Sequence, residues 1–80
     1  MGKATRQNLI GPTIRKIRYQ SDMTQDMLAA HCQRAGWDIG ENTISKIEAQ
    51  IRCITDVEIV FLAKALGVSI ELLFKNTKKN

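Results

Sequence analysis

The sequence predicts an all-α domain of five short helices, and three observations support this prediction. First, isoleucines recur at the spacing of one helical face: Ile10, Ile14 and Ile17. Second, three later apolar stretches each follow a residue that commonly caps a helix: Thr24, Thr55 and Ser69. Third, no stretch alternates apolar and polar residues as a β-strand would. We therefore expect one helical domain over residues 8–75, with flexible basic ends at 1–7 and 76–80.

The first two helices are bounded by signals at their ends. The first helix begins between Asn8 and Pro12, since Pro12 suits a first helical position whereas Ile10 belongs to the same apolar stripe. The second helix begins after Thr24, its N-cap, and stops at Gly36. Its predicted inner face consists of Met27, Leu28 and either Ala30 or His31.

The third helix is amphipathic. It begins at Gly40 or Asn42 and places Ile44 and Ile47 inward. Its outward residues are polar: Glu41, Asn42, Ser45 and Lys46. A polar outer face is expected of any amphipathic helix, so the pattern alone indicates only a solvated surface.

A capping box opens the fourth helix, because Thr55 stands three residues before Glu58. The fourth helix ends at Gly67, and a short fifth helix covers residues 70–74. The predicted apolar stripe of the fourth helix consists of Val57, Val60, Phe61 and Leu66.

The length of the chain limits the functions that it can carry. A domain of 80 residues buries only about 60–65% of the surface that its unfolded chain exposes, which leaves little room for a catalytic cleft. The sequence has no Ser/His/Asp set and no glycine loop to cradle a phosphate, so we expect no enzyme activity, no cofactor and no small-molecule ligand. The formal net charge of +4 modestly favours a polyanionic partner.

Membrane and metal sites are not expected either. No apolar run approaches the roughly 20 residues that span a bilayer, and the first residues lack the apolar core of a signal peptide. We therefore expect a cytoplasmic protein without a membrane partner. His31 and Cys32 point about 100° apart on a helix and cannot chelate one ion together, so no metal is expected. Cys32 and Cys53 are expected to be reduced, partly buried thiols.

Four segments of the chain resemble the motifs of one family of DNA-binding domains. They are residues 14–18 (Ile-Arg-Lys-Ile-Arg), 24–29 (Thr-Gln-Asp-Met-Leu-Ala), 44–48 (Ile-Ser-Lys-Ile-Glu) and 62–69 (Leu-Ala-Lys-Ala-Leu-Gly-Val-Ser). In this order they are similar to the phage repressor-like (Cro/cI-type, XRE-family) domain, from about Asn8 to Phe74. The resemblance implies a five-helix, lambda-repressor-like fold. Its helix-turn-helix would cover about residues 24–49, with the second helix of that motif in the major groove.

The resemblance also implies which residues contact double-stranded DNA. Four positions near the start of the recognition helix face the bases: Glu41, Asn42, Thr43 and Lys46. Asparagine can pair with adenine through two hydrogen bonds, lysine can donate to guanine, and glutamate can accept from cytosine. Three further positions face the phosphates: Gln25, Ser45 and Arg52.

A structural ion pair is implied in the same way. In the family, an arginine seven residues before the glutamine of the second helix pairs with the glutamate that closes the recognition helix. Arg18 stands seven residues before Gln25, and Glu48 holds the other position. We expect this pair to clamp the first helix to the third and to have no catalytic role.

Two features depart from the family pattern. Fifteen positions lead from Ala29 to Ile44, where the family usually has about ten. The extra residues are expected to lengthen the second helix over 32–35 and to add Trp37. This tryptophan either covers the helix end or donates its indole N–H to a phosphate. The second departure is Gln50, which stands where the family often has glycine after the recognition helix.

These features predict a sequence-specific transcriptional regulator, in particular a repressor that binds a partly palindromic operator as a homodimer. The fifth helix has more apolar residues than one inward face holds, so we place Leu73 and Phe74 in the dimer interface. The alternative is that both pack inside the domain. Two other functions fit the same sequence, namely an autoregulating antitoxin of a toxin–antitoxin pair and a protein-interaction module on the same fold.

Overall fold

The computed structural model describes residues 5–75 of the chain. It contains five helices: α1 (Gly11–Gln20), α2 (Gln25–Ala35), α3 (Glu41–Glu48), α4 (Asp56–Leu66) and α5 (Ile70–Phe74). No strand occurs in these residues, which confirms the predicted all-α, five-helix fold. None of the helices over 5–75 has both the length and the apolar character needed to cross a membrane. Most of the two predicted flexible ends, residues 1–4 and 76–80, lies outside the described residues.

The start of α1 is held by a side chain from outside the helix. The Asn8 Oδ1 atom accepts a hydrogen bond from the Gly11 backbone N–H at 2.8 Å. Pro12 lies in the first turn, where its missing N–H costs nothing. Ile10 precedes the helix, yet its side chain is buried with the rest of the isoleucine stripe. The predicted start of the first helix lay between Asn8 and Pro12, and the structure places it at Gly11. Ile10 lies outside the helix but still packs in the core.

Gln7 lies within the predicted flexible end but forms hydrogen bonds to the rest of the domain. The backbone N–H of Gln7 donates to the Gln50 carbonyl at 2.9 Å. The Cys53 thiol also donates a hydrogen bond to Gln7 Oε1 at 3.2 Å. Gln7 is therefore attached to the loop after α3 and is not part of a loose arm. Cys53 is exposed and so departs from the partial burial expected of it.

The predicted caps are formed by local hydrogen bonds. Thr24 accepts from the Met27 backbone N–H at 3.0 Å, and Ser69 accepts from that of Leu72 at 3.1 Å. At the start of α4, Thr55 accepts from the Glu58 N–H at 3.2 Å and donates its own N–H to the Glu58 carboxylate at 3.0 Å. The ends of α2 and α4 have left-handed glycines, Gly36 with φ +112° and Gly67 with φ +70°.

The core forms where the five helices meet, and its composition corrects two predicted faces. Leu28 is buried as predicted, but Met27 is exposed and Ala30 and His31 are only partly buried. The other buried residues of α2 are Ala29 and Cys32. Val57 is 60% exposed and Val60 is also on the surface. The buried residues of α4 lie in its second half: Leu62, Ala63, Ala65 and Leu66. Because α4 is apolar around most of its circumference, its packing against α2 decides which residues are buried.

The five extra residues extend α2 and support the turn that follows it. The helix continues to Ala35, and the indole of Trp37 stacks on the Phe61 ring with 6.0 Å between the ring centroids and 22° between their planes. Trp37 thus packs between the end of α2 and the side of α4, as the first of its two predicted roles requires.

Burial raises the pKa of the nearby Cys32 thiol to about 11, so this cysteine stays protonated at neutral pH.

The two residues predicted at a dimer interface lie in different environments. Leu73 is fully buried, in the core that α5 shares with α1 and α4. The prediction for Leu73 is therefore wrong, since a side chain with no exposed surface cannot contact a second protomer directly. Phe74 keeps 37% of its surface exposed, and its interface role stays a prediction.

Candidate nucleic-acid interface

The polar outer face of α3 is the centre of the candidate interface. Ile44 and Ile47 are completely buried and fix the rotation of the helix about its own axis. On the opposite side, three of the four predicted base-contacting residues are exposed: Glu41, Asn42 and Lys46. The fourth, Thr43, is half-buried at the side of the helix. The base-contacting roles themselves stay predictions.

The N-terminal end of α2 lies beside α3. A cleft of about 760 Å³ separates the end of α1 from these two helices, and both Gln25 and Ser45 line it. The structure thus brings together two of the three residues that were predicted to contact phosphate. The third, Arg52, lies in the loop after α3 and does not line this cleft.

A buried ion pair joins α1 to the end of α3. The Arg18 Nε atom donates to Glu48 Oε2 at 2.7 Å, and its Nη2 atom donates to Glu48 Oε1 at 2.9 Å. The remaining Nη1 donates to the Met23 carbonyl at 2.8 Å. Hydrogen bonds to the Glu48 carboxylate raise the pKa of the Arg18 guanidinium, although burial acts in the opposite direction. Helices α1 and α3 are therefore connected by a pair whose polar atoms all have partners.

The same carboxylate also orients Gln25. The Gln25 Nε2 atom donates to Glu48 Oε1 at 3.1 Å, which uses one of its two N–H groups. This bond orients the amide, and no other hydrogen bond among the described residues uses its second N–H. The sequence did not indicate this contact, because 23 positions separate the two residues and no local spacing connects them.

Arg52 is held by a partner that sequence analysis also missed. Its Nη1 and Nη2 atoms donate to the two carboxylate oxygens of Glu58 at 2.9 and 3.2 Å. Its guanidinium carbon lies 5.8 Å from the centre of the Trp37 ring. The Arg52 guanidinium lowers the pKa of the Glu58 carboxyl, and Glu58 raises that of Arg52. About a third of the Arg52 side chain is exposed, so a phosphate would meet a guanidinium that is already paired and oriented.

The loop between α3 and Arg52 keeps a defined geometry without the glycine that is common in the family. Gln50 adopts the left-handed conformation with φ +64°, which is unfavourable for a residue with a side chain. Its side chain donates to the Asn8 carbonyl at 2.9 Å. Asn8 in turn donates to the carbonyls of Ile47 and Arg52 at 3.0 and 2.9 Å. These bonds hold the loop at the end of α3 in place.

The arrangement of α2, a turn and an exposed α3 defines a helix-turn-helix, a class of DNA-binding domain. A helix-turn-helix family model matches residues 14–73, which include all of α2, α3 and α4 and most of α1 and α5. The chain belongs to this family of Cro/cI-type, XRE-family regulators, as its motifs predicted. It is a DNA-binding transcriptional regulator of the XRE type. Comparisons with curated proteins and with solved structures find no match.

Proposed function

We propose that this chain is a sequence-specific transcriptional repressor that binds a partly palindromic operator as a homodimer. The observation that carries the proposal is the orientation of α3. This helix buries Ile44 and Ile47 and leaves Asn42 and Lys46 exposed on neighbouring turns of its opposite face. An asparagine and a lysine on one exposed helical face suit the adenine and guanine edges of the major groove. Glu41, at the first position of the helix, would accept from cytosine and would repel a phosphate brought to the same place.

Phosphate contacts would set the register of α3 in the groove. Gln25 offers its second amide N–H beside the first turn of α2, where backbone N–H groups also point outward. Ser45 lines the same cleft, whereas Arg52 lies in the loop that follows α3 and does not line it. Together they would contact the DNA backbone on both sides of the groove that α3 occupies. No cofactor or small-molecule ligand takes part in this mechanism, and the repressor would act in the cytoplasm by occupying DNA that polymerase needs.

A homodimer follows from the small size of one recognition helix. Eight residues in α3 contact only a few base pairs, whereas two copies about 34 Å apart would read two half-sites one turn of DNA apart. The surface for pairing must lie away from α2 and α3. The exposed apolar residues of α5, Ile70, Leu72 and Phe74, satisfy this condition.

Selection of bound sequences from a random duplex library tests the proposal. We expect two inverted half-sites with centres about 10 base pairs apart, one turn of DNA, and two protomers per duplex at saturation in sedimentation. Ile70→Ser should lower the cooperativity of binding, whereas Lys64→Ser, at another exposed position on α4, serves as the control. One protomer per duplex without any palindromy would contradict the dimer.

A second candidate is an antitoxin that represses its own promoter and also binds a toxin. It is favoured by Val57 and Val60, two apolar side chains that are exposed one turn apart on α4. Co-expression with neighbouring open reading frames, followed by purification, tests it. A stoichiometric protein partner that is lost in a Val57→Lys/Val60→Lys variant would support this candidate, and unchanged recovery of the partner would contradict it.

A further inference from the structure

The charges that line the cleft between α1, α2 and α3 do not balance. Arg18 and Glu48 neutralise each other through their ion pair. Three other carboxylates line the cleft, those of Asp22, Asp26 and Glu41. Among residues 5–75, Arg15 is the one cation of this cleft that no ion pair neutralises. The lining carries two more negative than positive charges with Arg15 and would carry three more without it, so Arg15 is the cation that a DNA strand near Gln25 would meet.

Arg15 forms a defined unit with Tyr19, one turn later on α1. The Arg15 Nη2 atom donates to the Tyr19 hydroxyl oxygen at 3.3 Å, and the guanidinium carbon lies 5.3 Å from the ring centre. The Arg18 guanidinium carbon lies 4.7 Å from the same ring centre. Two cationic groups thus flank one phenol, and the hydrogen bond from Arg15 is the main cause that lowers the pKa of Tyr19.

The hydrogen-bonding capacity of this unit is only partly used. The Tyr19 oxygen accepts from Arg15, so its own hydrogen is free to be donated, and among the described residues no acceptor takes it. Arg15 likewise has N–H groups beyond the one that Tyr19 accepts. The unit therefore combines a neutral O–H donor with a cationic, forked donor on the same exposed side of α1, and a phosphate oxygen is the acceptor that matches both.

We propose that Arg15 and Tyr19 bind a DNA backbone phosphate, next to the phosphate that Gln25 would contact. This inference rests on the proposed function. It extends the DNA-contacting surface from the helix-turn-helix onto α1, and it gives Arg15 a second role. The charge of Arg15 reduces the excess of negative charge in the cleft without balancing the three carboxylates, and it supplies the cation that a phosphate at the mouth of the cleft would bind.

Replacement of Arg15 by glutamine, compared with Lys16→Gln, tests the proposal on the full-length chain. Lys16 is the neighbouring cation on the same helix, but it lines a different groove, with Lys75 and Leu72. Both variants lose one positive charge, so they separate a specific contact from general attraction. The measurement is affinity for the selected duplex and for a random duplex at several salt concentrations.

We expect Arg15→Gln to weaken binding to both duplexes by about tenfold. It should also make the slope of log K against log salt less steep by about 0.9, the value for one lost phosphate contact. Lys16→Gln should leave that slope unchanged, and Arg15→Lys should restore most of it. Tyr19→Phe, which keeps the ring beside Arg18, should weaken binding about threefold at an unchanged slope.

Two results would overturn the proposal, and they are distinguishable. If the wild-type chain binds duplex DNA but Arg15→Gln and Lys16→Gln behave alike, the Arg15–Tyr19 contact is wrong and the proposed function stands. If the wild-type chain selects no duplex at all, the proposed function fails and this contact fails with it. Thermal melting of each variant establishes that an affinity loss does not reflect unfolding.

Discussion

Arg18 and Glu48 form a two-point ion pair across 30 positions of sequence, with N–O distances of 2.7 and 2.9 Å. Both residues are buried, with 5% and 9% of their surfaces exposed. The pair therefore connects α1 to α3, the helix that would contact the bases of DNA. Because Gln25 donates to the same carboxylate, the stability of the fold and the orientation of a predicted phosphate contact depend on one side chain.

Removal of one partner of this pair should destabilise the domain strongly. Arg18→Met or Glu48→Gln should each lower the free energy of unfolding by about 3 kcal/mol, because a charge or a set of donors is left buried without its partner. The double variant should recover part of the loss, since neither charge then remains. Urea denaturation of the four proteins measures this coupling, and strictly additive losses would show that the two residues do not stabilise each other.

Asn42 and Lys46 should determine base preference. Alanine at either position should cost about 1–3 kcal/mol on the selected duplex and relax the preference at one base pair, because each would donate to one base edge. Gln25→Ala is the matched control, since a lost phosphate contact should weaken selected and random duplexes alike. Unchanged affinity and preference in both alanine variants would refute the predicted position of α3 in the groove.

The Arg52–Glu58 pair should make the stability of the domain depend on pH. Arg52 lowers the pKa of Glu58 in the folded state. The stabilisation is therefore present above the unfolded pKa of about 4.3 and is lost as the pH falls through the lower folded value. Glu58→Gln should cost about 1 kcal/mol at pH 7 and much less at pH 3, as measured by denaturation at each pH. A pH-independent difference would mean that the charge of Glu58 contributes nothing.

Gly11 should be irreplaceable where α1 approaches the end of α3. A Cβ atom built on Gly11 would overlap the Ile47 carbonyl oxygen, which is a backbone atom and cannot swing away. We expect Gly11→Ala to cost about 2 kcal/mol or more, as overpacking in a core does. Gly40→Ala is the control, because a Cβ atom there meets nothing within 4 Å. Equal thermal stability of the two variants would show that α1 can shift at little cost.

The ends of the helices could be read from the sequence because the interactions that define them are local. Thr24, Thr55 and Ser69 each accept a hydrogen bond from a backbone N–H three residues later. Gly36 and Gly67 supply the left-handed conformation that ends α2 and α4. Such contacts involve only neighbours in sequence, so residue type and spacing were sufficient to predict them.

The family motifs also predicted contacts between residues far apart in sequence, which local spacing alone cannot indicate. They indicated the helix-turn-helix and placed Arg18 opposite Glu48, 30 positions away. They could not indicate that Gln25 shares the Glu48 carboxylate, or that Arg52 pairs with Glu58. Those contacts depend on side-chain positions after the helices and the extended turn have packed.

The sequence by itself determined which segments are helical and the family to which the chain belongs. It indicated the starts of α2, α4 and α5 but left those of α1 and α3 open, and the structure places them at Gly11 and Glu41. Only the tertiary structure decided which apolar residues are buried. Val57 and Val60 fit an apolar stripe as well as Leu62 does, yet α4 buries Leu62 and leaves both valines on the surface. A helix forms through bonds within four residues, but burial depends on which face its neighbours cover. For the same reason Leu73 lies in the core while Phe74, the next residue, remains partly exposed.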